Sequence, residues 1–479
     1  AHLTTLPNEI LHNILQWLAP RDLGSLPRVC KALHSFVKGN QKLCEDIYMH
    51  HFDAPPDDER LDWETELHDV VRLEIICHRD KVEDKVTIDN ELRFVYKVVN
   101  RLLKHASSAG HALETSDTQY ASRNADFLKA VFEDETTREA FLQKSSLFER
   151  VYRSQHHQLP SVRMDNEQRQ QSAKLHCLYG KPILKTGRLR SARTYPYACS
   201  KVYDIRQYTT RSRWGPFTSN GDDKVDWEKV EAILIVLGSN IYTKKLTRLF
   251  SDVWDSPFSG SWKGSFISAP NPDISSLDAM DPYGVTGTWY RIVCFLDYND
   301  FFSYNFTNPE RDQSPLHTLD VGEATRLIIM RIHVTKIEQA GPDSEFSPDL
   351  PIVHYEGVSR PLDDSWDDNA SSDLRGTVGL TKEGEVRWTS VSIFQGHERW
   401  KSEGVQIGGV RSGKGVLGNW FDRDYDPHGP CGPSAFWKAS DSETAHGTHA
   451  VLPRNFLLWS ALIQMEDSDD PEGDMEYTV

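Results

Sequence analysis

Apolar residues recur with a helical period through the first half of the chain and in short β-branched or aromatic runs through the second. Leu6, Ile10, Leu11, Ile14, Leu15 and Leu18 fall on one face of a helix of 3.6 residues per turn. Pro7 suits a first turn, where a missing N–H costs nothing. The pattern breaks at Pro20-Arg21-Asp22, and Asp22 stands where a second short helix wants an N-cap. Leu23, Leu26, Val29, Cys30, Leu33 and Phe36 continue the apolar positions. Roughly 30 residues of closely spaced short helices are too few to bury a core, so a partner must complete this one.

Further helices are predicted over 57–107, in two amphipathic runs around Leu67–Ile76 and Leu92–Leu103, and over 125–152. Residues 107–120 are rich in Ser, Ala, Gly and Thr and read as a loop. A long helix is expected at 225–254, with Asp226 as its cap and Ala232–Leu237 as a core segment.

From Ser259 the texture changes. Trp262, Phe266, 289–295, 327–334, 377–380 and 386–394 are short runs bounded by Gly, Asp, Asn and Pro, and Lys382-Glu383-Gly384 between two of them signals a hairpin. At least seven strands in about 180 residues without intervening helices argue for a closed antiparallel barrel or a sandwich. The fold class is therefore α+β, with helices first and sheet afterwards.

Composition adds compartment and partner limits. At 479 residues the chain has room for about two to four domains. No apolar run approaches membrane-spanning length. Seven scattered cysteines, an odd number, argue against a disulfide framework and for a reducing cytoplasm or nucleus. A net charge of −17 argues against general nucleic-acid binding. The exception is 181–213, with nine Lys or Arg against the single acid Asp204, interleaved with Tyr195, Tyr197, Tyr203 and Tyr208. It reads as a solvated face answering the chain's own acids, with phosphate or nucleic-acid binding as the alternative. The chain starts at Ala1 with no basic-then-apolar leader, and its start without Met suggests a trimmed N-terminus.

The Leu6-Pro7 opening, the Asp22-Leu23 after the break and Val29-Cys30-Lys31 resemble the F-box. That resemblance implies docking on a Skp1-type adaptor, and through it on a cullin–RING ubiquitin ligase. The residues it places at the adaptor are Leu6, Pro7, Ile10, Leu11, Ile14, Leu15, Leu18, Leu23, Leu26, Val29 and Cys30. Gly287-Thr288-Trp289-Tyr290 is similar to the Gly-x-Trp opening of a lipocalin-like barrel, whose Trp plugs the floor. Tyr195–Asp204, Arg213–Phe217, Val225–Glu231 and Val416–Pro430 resemble a family of fungal F-box proteins. The order of parts is also similar to that of the mammalian cyclin-D-binding F-box proteins with a C-terminal barrel; the long 107–260 region departs from it, so the cargo is not carried over.

The organisation expected is an F-box at 1–52, a helical spacer at 53–258, a barrel for substrate recognition at 259–465 and a disordered acidic tail at 466–479, dispensable for folding. Such a receptor is not an enzyme and needs no cofactor. It raises the local concentration of a substrate lysine near a charged E2. Trp289, Arg291, Arg387, Trp388 and Trp420 are the candidates for contacting a protein degron, and the plain alternative for each Trp is core. The rival function is a barrel that binds a small hydrophobic ligand and whose F-box controls its own turnover. Gly408–Gly415 nearly spells a phosphate loop but lacks the final Ser or Thr, so a turn between strands is expected. His428, Cys431, His446 and His449 are zinc-ligand types at poor spacing, and no metal is expected.

Overall fold

The computed structural model describes residue 3 and residues 6–56, 60–86, 91–108, 121–156, 164–187, 192–244, 253–266, 274–307, 312, 315–362 and 371–441. Most of the 107–120 stretch, the pair His446 and His449, and the acidic tail lie outside the described residues.

The N-terminal pattern folds into α1 (Asn8–Leu15), α2 (Pro20–Leu23), α3 (Lys31–Val37) and α4 (Gln41–His51). Pro20 opens α2, and Asp22 lies inside the first turn rather than capping it. There its charge still favours the positive end of the helix. Asn40 caps α4, its Oδ1 accepting from Leu43 N at 3.1 Å. Leu43, Cys44, Ile47 and Tyr48 on α4 are buried and carry the small N-terminal core into the helices that follow.

Those are α5 (Trp63–Cys77), α6 (Val82–Val86), α7 (Glu91–Lys104), α8 (Arg123–Val131), α9 (Glu135–Phe141), α10 (Ser146–His156), α11 (Asn166–Tyr179), α12 (Tyr195–Val202) and α13 (Trp227–Thr243). The stretch read as one helical run over 125–152 is three short helices, because Asp134 starts α9 by capping Thr136 N at 3.2 Å. Helix α13 is buried almost all round, and Asp226 caps it through Lys229 N at 3.2 Å. It packs on α11 and α12 on one side and on the barrel on the other. At Gly238 a Cβ would lie 2.3 Å from Pro182 Cγ, so glycine makes room for the proline ring against the helix.

Among its described residues the basic stretch is only in part a solvated face, with Lys181 and Arg211 exposed. Tyr195, Tyr203 and Tyr208 are core residues. Arg193, Lys201, Arg206 and Arg213 pair with Asp320, Asp226, Asp204 and Asp223. Burial of the rings pulls the charges against the chain's own carboxylates, which is the part of that reading the structure keeps.

After the short α14 (Ser276–Met280), eight antiparallel strands close into a barrel in simple sequence order. They are β1 (Gly287–Leu296), β2 (Glu323–Glu338), β3 (Ile352–Pro361), β4 (Ser372–Leu380), β5 (Val386–Phe394), β6 (His397–Gln406), β7 (Val416–Asp422) and β8 (Cys431–Ser440). Trp262 and Phe266, read as strand residues, lie in turns that pack beneath the 407–415 connection, where Gly264 N donates to Val410 O at 2.9 Å. The Gly408–Gly415 stretch is a turn between β6 and β7.

Alternation decides what each strand residue does. Trp289, Trp388, Phe436 and Tyr355 point inward and plug one end, with Trp289 and Trp388 centroids 5.0 Å apart and Trp388 and Phe436 5.4 Å apart. The Trp289 indole donates to Val285 O at 2.9 Å and that of Trp388 to Gln406 Oε1 at 3.0 Å, so neither buried N–H is left unmade. Tyr290, Ile292, Cys294, Leu417, Phe421, Ala435 and Trp437 point outward into the same continuous core as α13. Glu323, the first residue of β2, reinforces that joint. Its carboxylate accepts from Tyr195 at 2.7 Å, from Tyr203 and from Asn240 at 2.6 Å, and burial raises its pKa.

Candidate functional site

Two surfaces at opposite parts of the sequence carry chemistry that the fold itself does not use. The first is on the N-terminal helices. Leu11, Leu15 and Leu23 are buried in the hydrophobic core, whereas Ile10 is 47% exposed, Ile14 45%, Trp17 68% and Val29 70%. Positions 10, 14 and 17 follow one another at helical spacing and form an apolar stripe facing away from the chain. Pro7 is exposed beside it, and Leu6, Leu18, Leu26 and Cys30 are half-buried along its edge. The eleven residues expected at the adaptor therefore divide into a supporting core and a presented face. Trp17 belongs to that face but was absent from the expected set. Its spacing from Ile10 and Ile14 was the available signal. Its ring lies edge-on to His50 at 4.3 Å.

The second surface is the end of the barrel opposite the Trp289–Trp388 plug, where Leu296, Glu323, Pro361, Ser372, Phe394, His397, Asp422 and Cys431 end or begin their strands. Inward residues near it, including Val293, Phe295, Ser392, Trp400 and Trp420, are only partly buried. Trp400 and Trp420 meet edge to face at 5.2 Å, and Arg326 stands over the Phe295 ring at 5.6 Å. Gly432 opposes Trp420, and a Cβ there would lie 2.8 Å from the indole nitrogen, so glycine makes room for the ring. The β1–β2 connection adds α15 (Tyr298–Phe302) and a π-turn at Ser303–Thr307. These carry an aromatic ladder at the same end: Tyr298 to Phe302 at 6.1 Å, Phe302 to Phe306 at 5.0 Å, and Phe306 to His428 at 4.7 Å.

Below the mouth the interior turns polar. Arg291 is buried between the strands, its Nε donating to Ser434 Oγ at 3.0 Å and its Nη2 to Ser402 Oγ at 3.3 Å. Desolvation pulls the guanidinium down to about 10. Ser390 bonds Ser402, and Ser359 bonds Ser372 at 2.8 Å.

The five residues expected to contact substrate thus have three fates. Trp289 and Trp388 are the floor, as the plain alternative for each had it. Arg387 points the other way, out of the barrel, and forks onto Glu403 at 2.8 Å and 2.8 Å while reaching Glu345 at 2.9 Å. Both carboxylates hold it well above the usual arginine range. Arg291 and Trp420 remain at or below the mouth. Sequence reasoning missed Trp400 and the Tyr298–Phe306 ladder, although the four-residue spacing of three aromatics was there to see.

Among the described residues no group of three or more His, Cys, Asp or Glu is placed to hold a metal, and Cys431 is buried under Tyr208 and Lys229. The seven cysteines are unpaired. No helix among the described residues is long and apolar enough to cross a membrane.

Residues 3–50 match the F-box-like family, so the α1–α4 helices are an F-box-like domain. No curated protein and no solved structure matches the chain. F-box domains generally bind Skp1 in cullin–RING ligases, and the exposed stripe lies within the matched residues.

Proposed function

We propose that this protein is the substrate-recognition subunit of an SCF-type ubiquitin ligase, with no catalytic chemistry of its own. It binds a Skp1-type adaptor through the α1–α3 stripe and a protein degron through the open end of the barrel. The observation that carries the reading is the exposed apolar stripe of Ile10, Ile14 and Trp17, with Val29 also exposed, within residues matched to an F-box-like domain. Burying such a patch on an adaptor removes apolar area from water at about 25 cal/mol per Å². The shared core of α13 and the barrel supports the second half. A receptor works by holding substrate at a fixed distance from the ligase, which a rigid connection serves. The rival reading, an apolar ligand inside the barrel, loses its room to the rings of Trp289, Tyr355, Trp388 and Phe436.

The test is co-expression of the full chain with a Skp1-type adaptor, comparing wild type with the I10D/I14D double variant. Retention of the adaptor at full yield by a folded double variant would end the proposal. Loss of adaptor with an unchanged melting temperature supports it. Proteins that accumulate when the chain is removed should accumulate equally when the double variant replaces it, and their return to wild-type levels with the double variant would count against a receptor acting through the adaptor.

A further inference from the structure

Four aromatic rings around the barrel mouth are faced by cations of the chain itself. Arg326 lies over Phe295 at 5.6 Å, Arg399 over Trp400 at 5.2 Å and over Phe394 at 5.9 Å, and Lys401 over Tyr425 at 4.4 Å. The ladder on the β1–β2 connection differs. Tyr298 and Phe302 are 53% and 37% exposed, and among the described residues no Lys or Arg lies over either ring. Successive planes along Tyr298, Phe302, Phe306 and His428 are tilted by only 34–41°, so the rings follow one another as a short stair.

Carboxylates stand at both ends of that line. Asp297 directly precedes Tyr298 and caps its helix, accepting from Asn299 N at 2.8 Å. Asp426 lies 3.7 Å from the His428 ring nitrogen. Asp300 falls between the two exposed rings in sequence, and neither it nor Asp297 pairs with a cation among the described residues. The arginine of the β7–β8 turn is engaged elsewhere, since Arg423 reaches Glu398 at 2.9 Å and Asp424 at 3.7 Å. The ladder is thus an apolar, π-faced surface with uncompensated negative charge beside it.

A guanidinium answers both features at once, because its flat face stacks on a ring while its N–H edge donates to a carboxylate. An extended peptide sets alternate side chains on one side about 6.6 Å apart. The ring centroids are 6.1 and 5.0 Å apart, so alternate residues fall over successive rings. A neutral proline-rich segment would use the rings and leave the carboxylates unanswered, and an acidic one would be repelled. We propose that the ladder binds an extended basic segment with Arg at alternate positions, carried by the protein held at the barrel mouth. This inference rests on the reading of the mouth as the place that receives a protein segment, and not on docking at the adaptor.

The experiment titrates the full chain into three labelled peptides: Arg alternating with Ser, the same peptide with Glu for Arg, and a neutral proline-rich one. The Arg peptide should bind best, and its affinity should fall as salt rises. Tyr298→Ser/Phe302→Ser keeps every carboxylate and should weaken that binding several-fold. Asp297→Asn/Asp426→Asn keeps the rings and the helix cap, and should weaken it several-fold while flattening the salt dependence. Equal binding by the ring variant would mean attraction to an acidic surface in general, and would overturn the proposal. So would a preference for the proline-rich or Glu peptide. A wild-type chain that retains its adaptor yet leaves the Arg peptide unbound overturns this inference alone and spares the receptor reading. Peptide binding without adaptor binding does the reverse.

Discussion

The indole N–H of Trp420 donates to the backbone carbonyl of Cys294 across 2.9 Å, just beyond Val293, where the pairing of β1 with β8 ends. An inward side chain on β7 thereby satisfies an oxygen that β8 does not reach, and its ring stays at the mouth against Trp400.

Trp420→Ala should remove that bond and half-buried aromatic area, lowering stability by about 2 kcal/mol, and should abolish degron binding at the mouth. Trp420→Phe should cost about 1 kcal/mol and retain most binding. Thermal melting and ubiquitination of an identified substrate read the two effects separately. A folded Trp420→Ala variant that still ubiquitinates would move the site elsewhere.

The N-terminal helices should split in the same manner. Ile10→Asp and Ile14→Asp fall on exposed positions and should change stability by no more than about 0.5 kcal/mol while losing the adaptor. Leu11→Asp and Leu15→Asp, at 5% and 2% exposure, should unfold the domain, since an unpaired carboxylate buried there costs several kcal/mol. Circular dichroism melts beside adaptor pull-downs make the comparison.

Arg387→Met leaves Glu403 buried and without its fork, which should destabilise the chain by about 3 kcal/mol. The double variant Arg387→Met/Glu403→Gln should recover much of that loss. Substrate affinity per folded molecule should not change in either, because Arg387 faces away from the interior. Denaturant titration and a binding isotherm on the folded fraction would reveal any direct substrate role.

The aromatic ladder offers a variant nearly free of stability effects. Tyr298 and Phe302 are 53% and 37% exposed, so Tyr298→Ser/Phe302→Ser should leave melting almost unchanged. Substrate binding should fall several-fold if the ladder extends the mouth. Unaltered affinity would restrict the site to Trp400 and Trp420.

Lys414 gives a pH signature. Its Nζ is buried, donates to Val253 O at 2.7 Å, and is pulled down to about 7 by desolvation. An unfolded lysine titrates near pH 10.4, roughly. Between the two values the unfolded chain holds a proton that the folded one has released, so this group's contribution to stability rises with pH and is lost as pH falls through about 7. Relative to Lys414→Met, wild-type stability should rise by about 1 kcal/mol per pH unit between roughly pH 7 and 9. Taking the difference between the two curves removes the thiols, which burial shifts upward. Parallel curves would refute the assignment.

Much of this molecule was written locally. A 3.6-residue period placed Leu11 and Leu15 on one face, Asp226 announced the start of α13, and the Gly287–Tyr290 opening marked the first barrel strand with Trp289 at its floor. Such features follow from backbone dihedrals and from residues a few positions apart, which any chain with that sequence carries into every conformation. Ile10 and Leu11 share the apolar face, yet only the tertiary packing of the N-terminal helices assigns one to solvent and the other to the core. Arg387 and Trp388 are neighbours on a strand, so alternation alone required that they point to opposite sides. Which of them entered the barrel depended on β5 pairing with β4 and β6 in one register, and on α13 covering the outer wall. Inside and outside are properties of a closed sheet, set by contacts distant in sequence, and no local period contains them.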